Sequence, residues 1–450
     1  MKIPLKPPKL DDLVTKIAGK NPNRFVQLLS LGIRSDPKGR YYHWDKLRHL
    51  APPEGLTTEE WWLAIKLARR ALYRSVPHTD VRGEPFQYAQ PDSVQRLLHQ
   101  ITRDASGAIQ SPEAVTNPNT KDTYLVNSLI EEAITSSQLE GASTTRKVAK
   151  EMIRQNREPK DNSEKMIINN YHAMQFVSQV KKERLTPSMI LELHRLLTQG
   201  TLENPKAIGK LRTTDDIYVG DERDATTLHI PPKANELKRR IENICELAND
   251  SHSTTFMHPV VKAILLHFML AYDHPFEDGN GRTARALFYW CMLNQGYWLI
   301  EFISISRILK SAPAEYNRSY LYTETDDNDA TYFIAHQLEV IVRAIGDLYV
   351  YLDKKAKEIR TVENILRKSP RIINLLNHRQ VALLNRALKK PHSIFYVESH
   401  RSSHNVTYQT ARTDLLSLEK LGLLEKSKIG KAFAYTVPDD LRKRLENLDS

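Results

Sequence analysis

The stretch "HPFEDGNGRTAR", His274 to Arg285, decides how the rest of the chain is read. It gathers a histidine, an acid pair, an asparagine between two glycines, and two arginines. Without a Cβ, the glycines let backbone N–H groups turn inward, and "TARALFYWCML" from Thr283 onward continues as an apolar-faced helix. Gly279, Asn280 and Gly281 therefore read as an anion cradle at a helix N-terminus. Arg282 and Arg285 fall on one side of that helix and carry forked donors suited to phosphate oxygens. Asp278 offers a hard oxygen of the kind Mg²⁺ takes when it bridges phosphates. His274 stands just ahead of the loop, where an imidazole can take a proton near neutral pH. Taken singly, such a histidine is more often a capping group and Gly-Asn-Gly more often a turn; the combination is what points to chemistry. His267 with His274 is poor spacing for zinc, and no Walker-type loop is present.

Outward from that loop, 450 residues exceed what one core usually carries, which favours two or three domains. With 40% hydrophobic and 26% charged residues, the composition is that of a soluble protein, neither disordered nor membrane-embedded. Cys245 and Cys291 are the only cysteines, which argues against a disulfide framework and suits a reducing cytoplasm. Prolines at positions 4, 7 and 8 interrupt any amino-terminal apolar segment, so export is not expected. The run Val260 to Tyr272 is too short to span a bilayer and reads as a buried helix, so no membrane partner is expected. The net charge is +11, and residues 361–450 hold 16 Lys and Arg against 9 Asp and Glu, a surplus of seven. That asymmetry suits either a nucleic-acid partner or a solvated basic surface.

The first forty residues read as an irregular arm, and "TTEEWWLAIKLARRALYR" as a helix with Thr58 as N-cap, within an amino-terminal helical module spanning 1–120. The polar stretch Ser111 to Asp122 marks the first boundary. Residues 121–348 are mostly of helical period and predict an all-α core. The exception is "DIYVGDERDATTLHIPP", Asp216 to Pro232, which predicts a β-hairpin. A long charged helix, roughly 331–367, leads through a linker at 349–370 to a carboxyl-terminal domain at 371–450.

"HPFEDGNGRTAR" resembles the Fic-family signature H-x-F-x-[DE]-G-N-G-R-x-x-R at every defined position. The resemblance covers about half the chain and implies a mainly α fold: a Fic-type helical core with a β-hairpin flap. It implies transfer of AMP from ATP to a Ser, Thr or Tyr hydroxyl of a target protein, or of the chain itself. His274 is then the base, Phe276 a packing anchor and Asp278 the Mg²⁺ ligand. Gly279, Asn280 and Gly281 cradle phosphate, and Arg282 and Arg285 hold the outer phosphates. The hairpin, Ile217 to Ile230 with Thr227, Leu228 and His229, is similar to the flap that clamps a target segment by strand pairing. The phosphorylating Doc branch has lysine where this chain has Gly281, which favours AMP transfer.

"SSQLEG", Ser136 to Gly141, alone reads as a surface Glu140 with Gly141 ending a helix. Beside the Fic signature it resembles the family's inhibitory pattern [S/T]-x-x-x-E-[G/N], on a helix of about residues 123–141. Ser136, Glu140 and Gly141 would form that element, and the resemblance implies that Glu140 pairs with Arg285 and restrains the reaction. In the tail, Thr407 caps a helix from Tyr408 ended by Gly422, with β-rich stretches around Ile429, and the pattern is similar to a winged helix. Tyr408, Gln409, Thr410, Arg412 and Thr413 would then face duplex DNA. A scaffold or dimerisation domain is the alternative, and a homodimer is compatible with it. Two other functions remain open: removal of AMP at the same site with Glu140 directing water, and a DNA-binding regulator whose core senses ATP.

Overall fold

The apolar run at the centre of the chain becomes the helix Pro259–Asp273, buried along almost its whole length. Pro259 occupies the first turn, where its missing N–H costs nothing, and His258 caps the helix by accepting from the Val260 N–H. Its neighbour in space is Asn280–Asn294, nearly as buried, and the short turn between the two carries residues 274–279. Burial on all sides explains why neither helix shows a polar face. The structure is a computed structural model describing residues 2–31, 40–106, 118–221, 226–249, 255–366, 376–389, 393–429 and 432–447. No helix among these residues is long and apolar enough to cross a membrane.

The chain forms two compact units. The first comprises Met1–Ser106, His172–Trp298 and Ile305–Arg343; the second comprises Gly107–Tyr171, Leu299–Ser304 and Ala344–Ser450. This grouping differs from the division expected at residues 120, 348 and 370, since the helix Pro118–Leu139 belongs to the same unit as the tail.

In the first unit the central helix pair is surrounded by Pro187–Thr198, Leu237–Asn249 and Pro313–Thr325. An aromatic cluster of Phe86, Phe268, Tyr272, Tyr320 and Phe333 holds the pair from one side, with Tyr320 and Phe333 centroids 4.4 Å apart. The expected irregular arm is instead two helices, Leu10–Lys20 and Pro22–Ser30. Pro22 starts the second rather than breaking it, and Leu13 and Leu28 bury against Trp61 and Trp62. The cap of the Trp61 helix is Thr57, not Thr58: only Thr57 has a glutamate, Glu60, three residues on to complete a capping box. The amino-terminal module also contains an unexpected hairpin, Arg74–Thr79 with Pro85–Tyr88. The predicted central hairpin is present as Val219–Asp221 paired antiparallel with Thr226–His229, and its turn residues lie outside the described residues.

In the second unit, Pro118–Leu139 buries Val126, Ile130, Ala133 and Ile134 against Ala149, Met152, Ile153 and Ile167. The boundary expected over Ser111 to Asp122 lies largely outside the described residues. The tail runs helix His378–Lys389, strand Ile394–Tyr396, helices Val397–His404 and Tyr408–Lys420, then strands Glu425–Ile429 and Ala432–Thr436. The last strand lies between the other two in an antiparallel sheet. Asp414, buried, joins three tail helices: it accepts from Arg379 Nε at 2.6 Å and from Asn377, and faces His400 Nε2 at 3.1 Å. Helices His378–Lys389 and Val397–His404 pack against Pro118–Leu139.

Candidate active site

The turn after Pro259–Asp273 forces His274 into a left-handed backbone, φ +46°, where its N–H closes the helix on the Leu270 carbonyl. A bulky residue adopts that conformation only when its surroundings hold it. Asp273, fully buried, is one such hold: its Oδ1 accepts from Arg240 Nε at 2.7 Å and lies 2.9 Å from His78 Nε2. Arg212 is another. Its backbone N–H donates to the Pro275 carbonyl and its Nε to the His274 carbonyl, both at 2.9 Å, while its other guanidinium nitrogens reach the carbonyls of Thr214 and Pro232. The half-buried imidazole of His274 has Nδ1 at 3.4 Å from the Ala271 carbonyl. A carbonyl only accepts, so Nδ1 carries the hydrogen and Nε2 is the basic nitrogen of the neutral ring.

Phe276, fully buried, lies flat on His194 with centroids 3.8 Å apart and planes 2° from parallel. His194 in turn supports the loop: its Nε2 donates to the Asp278 carbonyl at 2.9 Å and its Nδ1 accepts from the Gly209 N–H at 3.1 Å. Those two bonds require the neutral tautomer, and burial agrees, pushing its pKa down to about 4. Asn280 uses its side-chain amide to clasp Phe276, accepting from its N–H and donating to its carbonyl, each at 2.9 Å. Its side chain therefore shapes the loop, and what faces the cradle is its backbone at the head of the Asn280–Asn294 helix. Gly279 precedes that helix at φ +84° and has no side chain with which to cap it, so backbone N–H groups and the positive end of the helix dipole lie at this end of the loop. A Cβ at Gly279 would stand 2.7 Å from Thr198 Cγ2, so glycine is required twice over.

Arg282 is buried and donates to the Leu197 carbonyl at 2.9 Å and to Asp278 Oδ2 at 3.2 Å. Its expected phosphate contact would have to share the guanidinium with these two acceptors. Arg285 is equally buried, and its charge helps to keep the neighbouring His267 neutral, after burial itself. Asp278 remains more than half exposed at the loop's mouth. Glu277 is held aside by both oxygens on Asn204 Nδ2. Among the described residues no group of three metal-ligating side chains occurs. An exposed carboxylate such as Asp278 is nevertheless a donor of the kind Mg²⁺ takes, since that ion keeps several waters and needs few protein ligands.

Beside the loop, the hairpin presents exposed Tyr218, Thr227 and Ile230, with Leu228 half-buried. The hairpin is two-stranded, so its outer strand edges can accept a further strand. His229 turns toward the protein, against Tyr272 and Glu324.

In the second unit, Ser136 is buried one turn before the end of Pro118–Leu139, and Glu140 is half-buried in the turn that follows. Gly141, φ +90°, lets the Ala142 N–H reach back to the Ser137 carbonyl at 3.0 Å, which closes the helix. In the tail, Tyr408, Gln409, Arg412 and Thr413 are exposed on the first turns of Tyr408–Lys420, whereas Thr410 is half-buried and its N–H is capped by Thr407.

Sequence reasoning missed Arg212, His194, Asp273, Arg240 and His78, which support the loop without belonging to it. Four of them are far from the loop in sequence and Asp273 has its partners far away, so no local pattern marks them.

Residues 184–292 match the model of the Fic/DOC family. Over 127 residues the chain is 37% identical to "Protein adenylyltransferase Fic" of Drosophila melanogaster, and the match spans 28% of this chain and 24% of that protein. The corresponding protein of Drosophila ananassae is 36% identical over the same length, covering 28% of this chain and 23% of its own. The chain thus matches about a quarter of these curated relatives' length. Among solved structures, a Fic family protein from Desulfovibrio desulfuricans G20 is similar at 16% identity and a TM-score of 0.48, over 77% of this chain and 96% of that one. The segment that matches the Fic/DOC family model, residues 184–292, contains His274–Arg285.

Proposed function

We propose that the protein is an adenylyltransferase that moves AMP from ATP to a hydroxyl side chain of a target protein or of itself. One observation carries the reading. His274, with Nε2 as its basic nitrogen, lies in the turn that leads into a helix N-terminus whose N-cap glycine cannot be replaced without collision. The name borne by the Drosophila relatives supports it. In the step, His274 Nε2 takes the proton of the attacking hydroxyl as its oxygen bonds to the α-phosphorus. The bond from that phosphorus to the bridging oxygen breaks, and diphosphate leaves. The N–H groups of Asn280 and Gly281 bind phosphate oxygens, and Arg285, buried beside them in sequence, offsets their charge. Asp278 would hold Mg²⁺, which when bound supplies further charge compensation.

The hairpin is proposed as the flap on which a target segment is laid by strand pairing. Glu140 is proposed to restrain transfer, as its resemblance to the inhibitory pattern implies, and the cytoplasm as its setting. The test is His274→Ala: ATP affinity should stay nearly constant while transfer falls by about 10²- to 10⁴-fold, the usual worth of a general base. Normal self-labelling from labelled ATP in that variant would refute the assignment.

For the tail, the exposed side chains at the start of Tyr408–Lys420 support a winged helix that contacts duplex DNA. Binding should weaken in Arg412→Ala, with a salt slope shallower by about one if the contact is to phosphate. No duplex binding by the full chain at low salt would leave the tail a scaffold.

A further inference from the structure

The central hairpin is fastened to the backbone that carries His274 at both of its ends. Arg212, ahead of the hairpin, holds the carbonyl of His274 and that of Pro232 beyond it. His229, the last residue of the second strand, is the other fastening. Its Nε2 lies 2.7 Å from the Tyr272 carbonyl and its Nδ1 lies 2.9 Å from Glu324 Oε2. A carbonyl oxygen can only accept, and so can an ionised carboxylate. Both ring nitrogens must therefore carry hydrogen, and the ring in this arrangement is an imidazolium. It rests on Tyr272 with centroids 4.5 Å apart, and its side chain is 9% exposed.

The register of the strand gives this fastening a use. His229 pairs with Val219 and Thr227 with Gly220, so Leu228 is an extra residue that breaks the ladder. A bulge of this kind leaves one residue unpaired and disrupts the ladder locally. An anchor immediately beyond the bulge holds the strand where its own pairing is interrupted.

We propose that His229 is a positioning residue for the transfer: as an imidazolium it locks the flap strand to the Tyr272 carbonyl, two residues before His274, and so sets where a target hydroxyl meets the base. The proposal rests on the reading of the hairpin as a target flap. Tyr272 is the penultimate residue of the helix that His274 closes. A strand fixed to its carbonyl is thus fixed to the base through two peptide units of backbone.

A neutral ring has one N–H, so deprotonation must break one of the two bonds and loosen the strand. The groups facing the ring decide when this happens. Burial alone would lower the pKa of His229, but the hydrogen bond and charge of Glu324, the Tyr272 carbonyl and the charge of Asp273 together raise it. Glu324 comes from Pro313–Thr325, and Tyr272 and Asp273 from Pro259–Asp273. Behind Asp273 stand Arg240 and His78, which occupy its Oδ1, so the carboxylate in direct contact with the ring is that of Glu324. With the pKa raised, both bonds are present at and below the ordinary histidine value of about 6.5 and are lost as the pH rises through the higher folded value.

The test uses the full chain labelled at histidine ¹³Cε1, with the His229 resonance identified by its disappearance in His229→Ala, or in His229→Gln if the alanine variant fails to fold. The expected result is titration above about pH 6.5, moved to lower pH in Glu324→Gln, which keeps an acceptor and removes the charge. Amide protection factors at residues 226–229 should fall over the same interval and move with it. In Glu140→Gly protein, the alkaline limb of self-labelling from labelled ATP should shift to lower pH when Glu324→Gln is added, with KM for ATP unchanged. A ring already neutral below pH 6.5, strand protection that ignores its titration, or an alkaline limb that does not move would each overturn the proposal. The first two measurements need no catalysis. Titration and strand loosening observed without any self-labelling in any variant would overturn the transferase reading instead.

Discussion

Gly279 and Gly141 have nearly the same backbone, φ +84° and +90°, and each sits at a helix end in a sequence resembling a family pattern. Their surroundings differ. A Cβ on Gly279 would collide with Thr198 and press on the His194 ring, whereas a Cβ on Gly141 would meet nothing within 4 Å. At residue 141 glycine serves only the dihedral angle; at residue 279 it also serves a packed loop. Local conformation is therefore a poor guide to how much a motif residue matters. What decides it is whether the rest of the fold has closed in on that position.

The largest expected effect follows from this contrast. Gly279→Ala combines a left-handed backbone cost of about 1–2 kcal/mol with overpacking of about 1–3 kcal/mol. It should abolish transfer and lower the urea midpoint clearly. A variant with unchanged stability and normal labelling would break the comparison. Gly141→Ala should show the dihedral cost alone.

Next is the glutamate beside Gly141. If Glu140 restrains transfer as proposed, Glu140→Gly should raise self-labelling severalfold or more, with a modest change in melting temperature because the residue is half-buried in a turn and not packed in a core. Arg285→Ala should lose transfer, and adding Glu140→Gly to it should restore little, a non-additivity expected when both changes act through one residue. Unchanged labelling and unchanged ATP affinity in Glu140→Gly would reduce "SSQLEG" to a helix end.

A smaller effect sharpens the loop side of the comparison. His194 must be neutral to accept from the Gly209 N–H, and its folded pKa is depressed to about 4. The sign follows: its contribution is intact above the unfolded value of about 6.5 and is lost progressively as pH falls toward the folded value. Acid should therefore loosen the loop between those limits, and His194→Gln should flatten that part of the stability profile. A profile identical in shape to the parent would show that His194 carries no such linkage. The smallest effect is that of Gly141→Ala, about 1–2 kcal/mol, read as a shift in melting temperature with activity nearly retained.

The twelve residues from His274 to Arg285 stood out in the sequence because each residue type in them has a use of its own: glycine frees the backbone, histidine can move a proton, arginine forks, aspartate can bind a hard cation. The buried helices on either side were legible from length and apolarity, and the central hairpin from its turn residues. The expected irregular arm gives way to two helices because Pro22 begins a helix whose apolar residues find Trp61 and Trp62, partners some forty positions away.

What the sequence determined by itself is the chemistry-bearing loop, the mainly helical class and the positions of glycine turns, all of which depend on residues adjacent along the chain. What only the tertiary structure decided is how the loop is held. His194 lies under Phe276, Arg212 holds the His274 and Pro275 carbonyls, Asp273 faces Arg240 and His78, and His229 bridges Tyr272 and Glu324. The structure also decided that Pro118–Leu139 shares a unit with the tail. These partners stand tens to hundreds of positions apart, and several of the acceptors are backbone carbonyls, which every residue has. A donor's choice among identical acceptors leaves no trace in composition or period, because it is made only when packing brings one of them within reach.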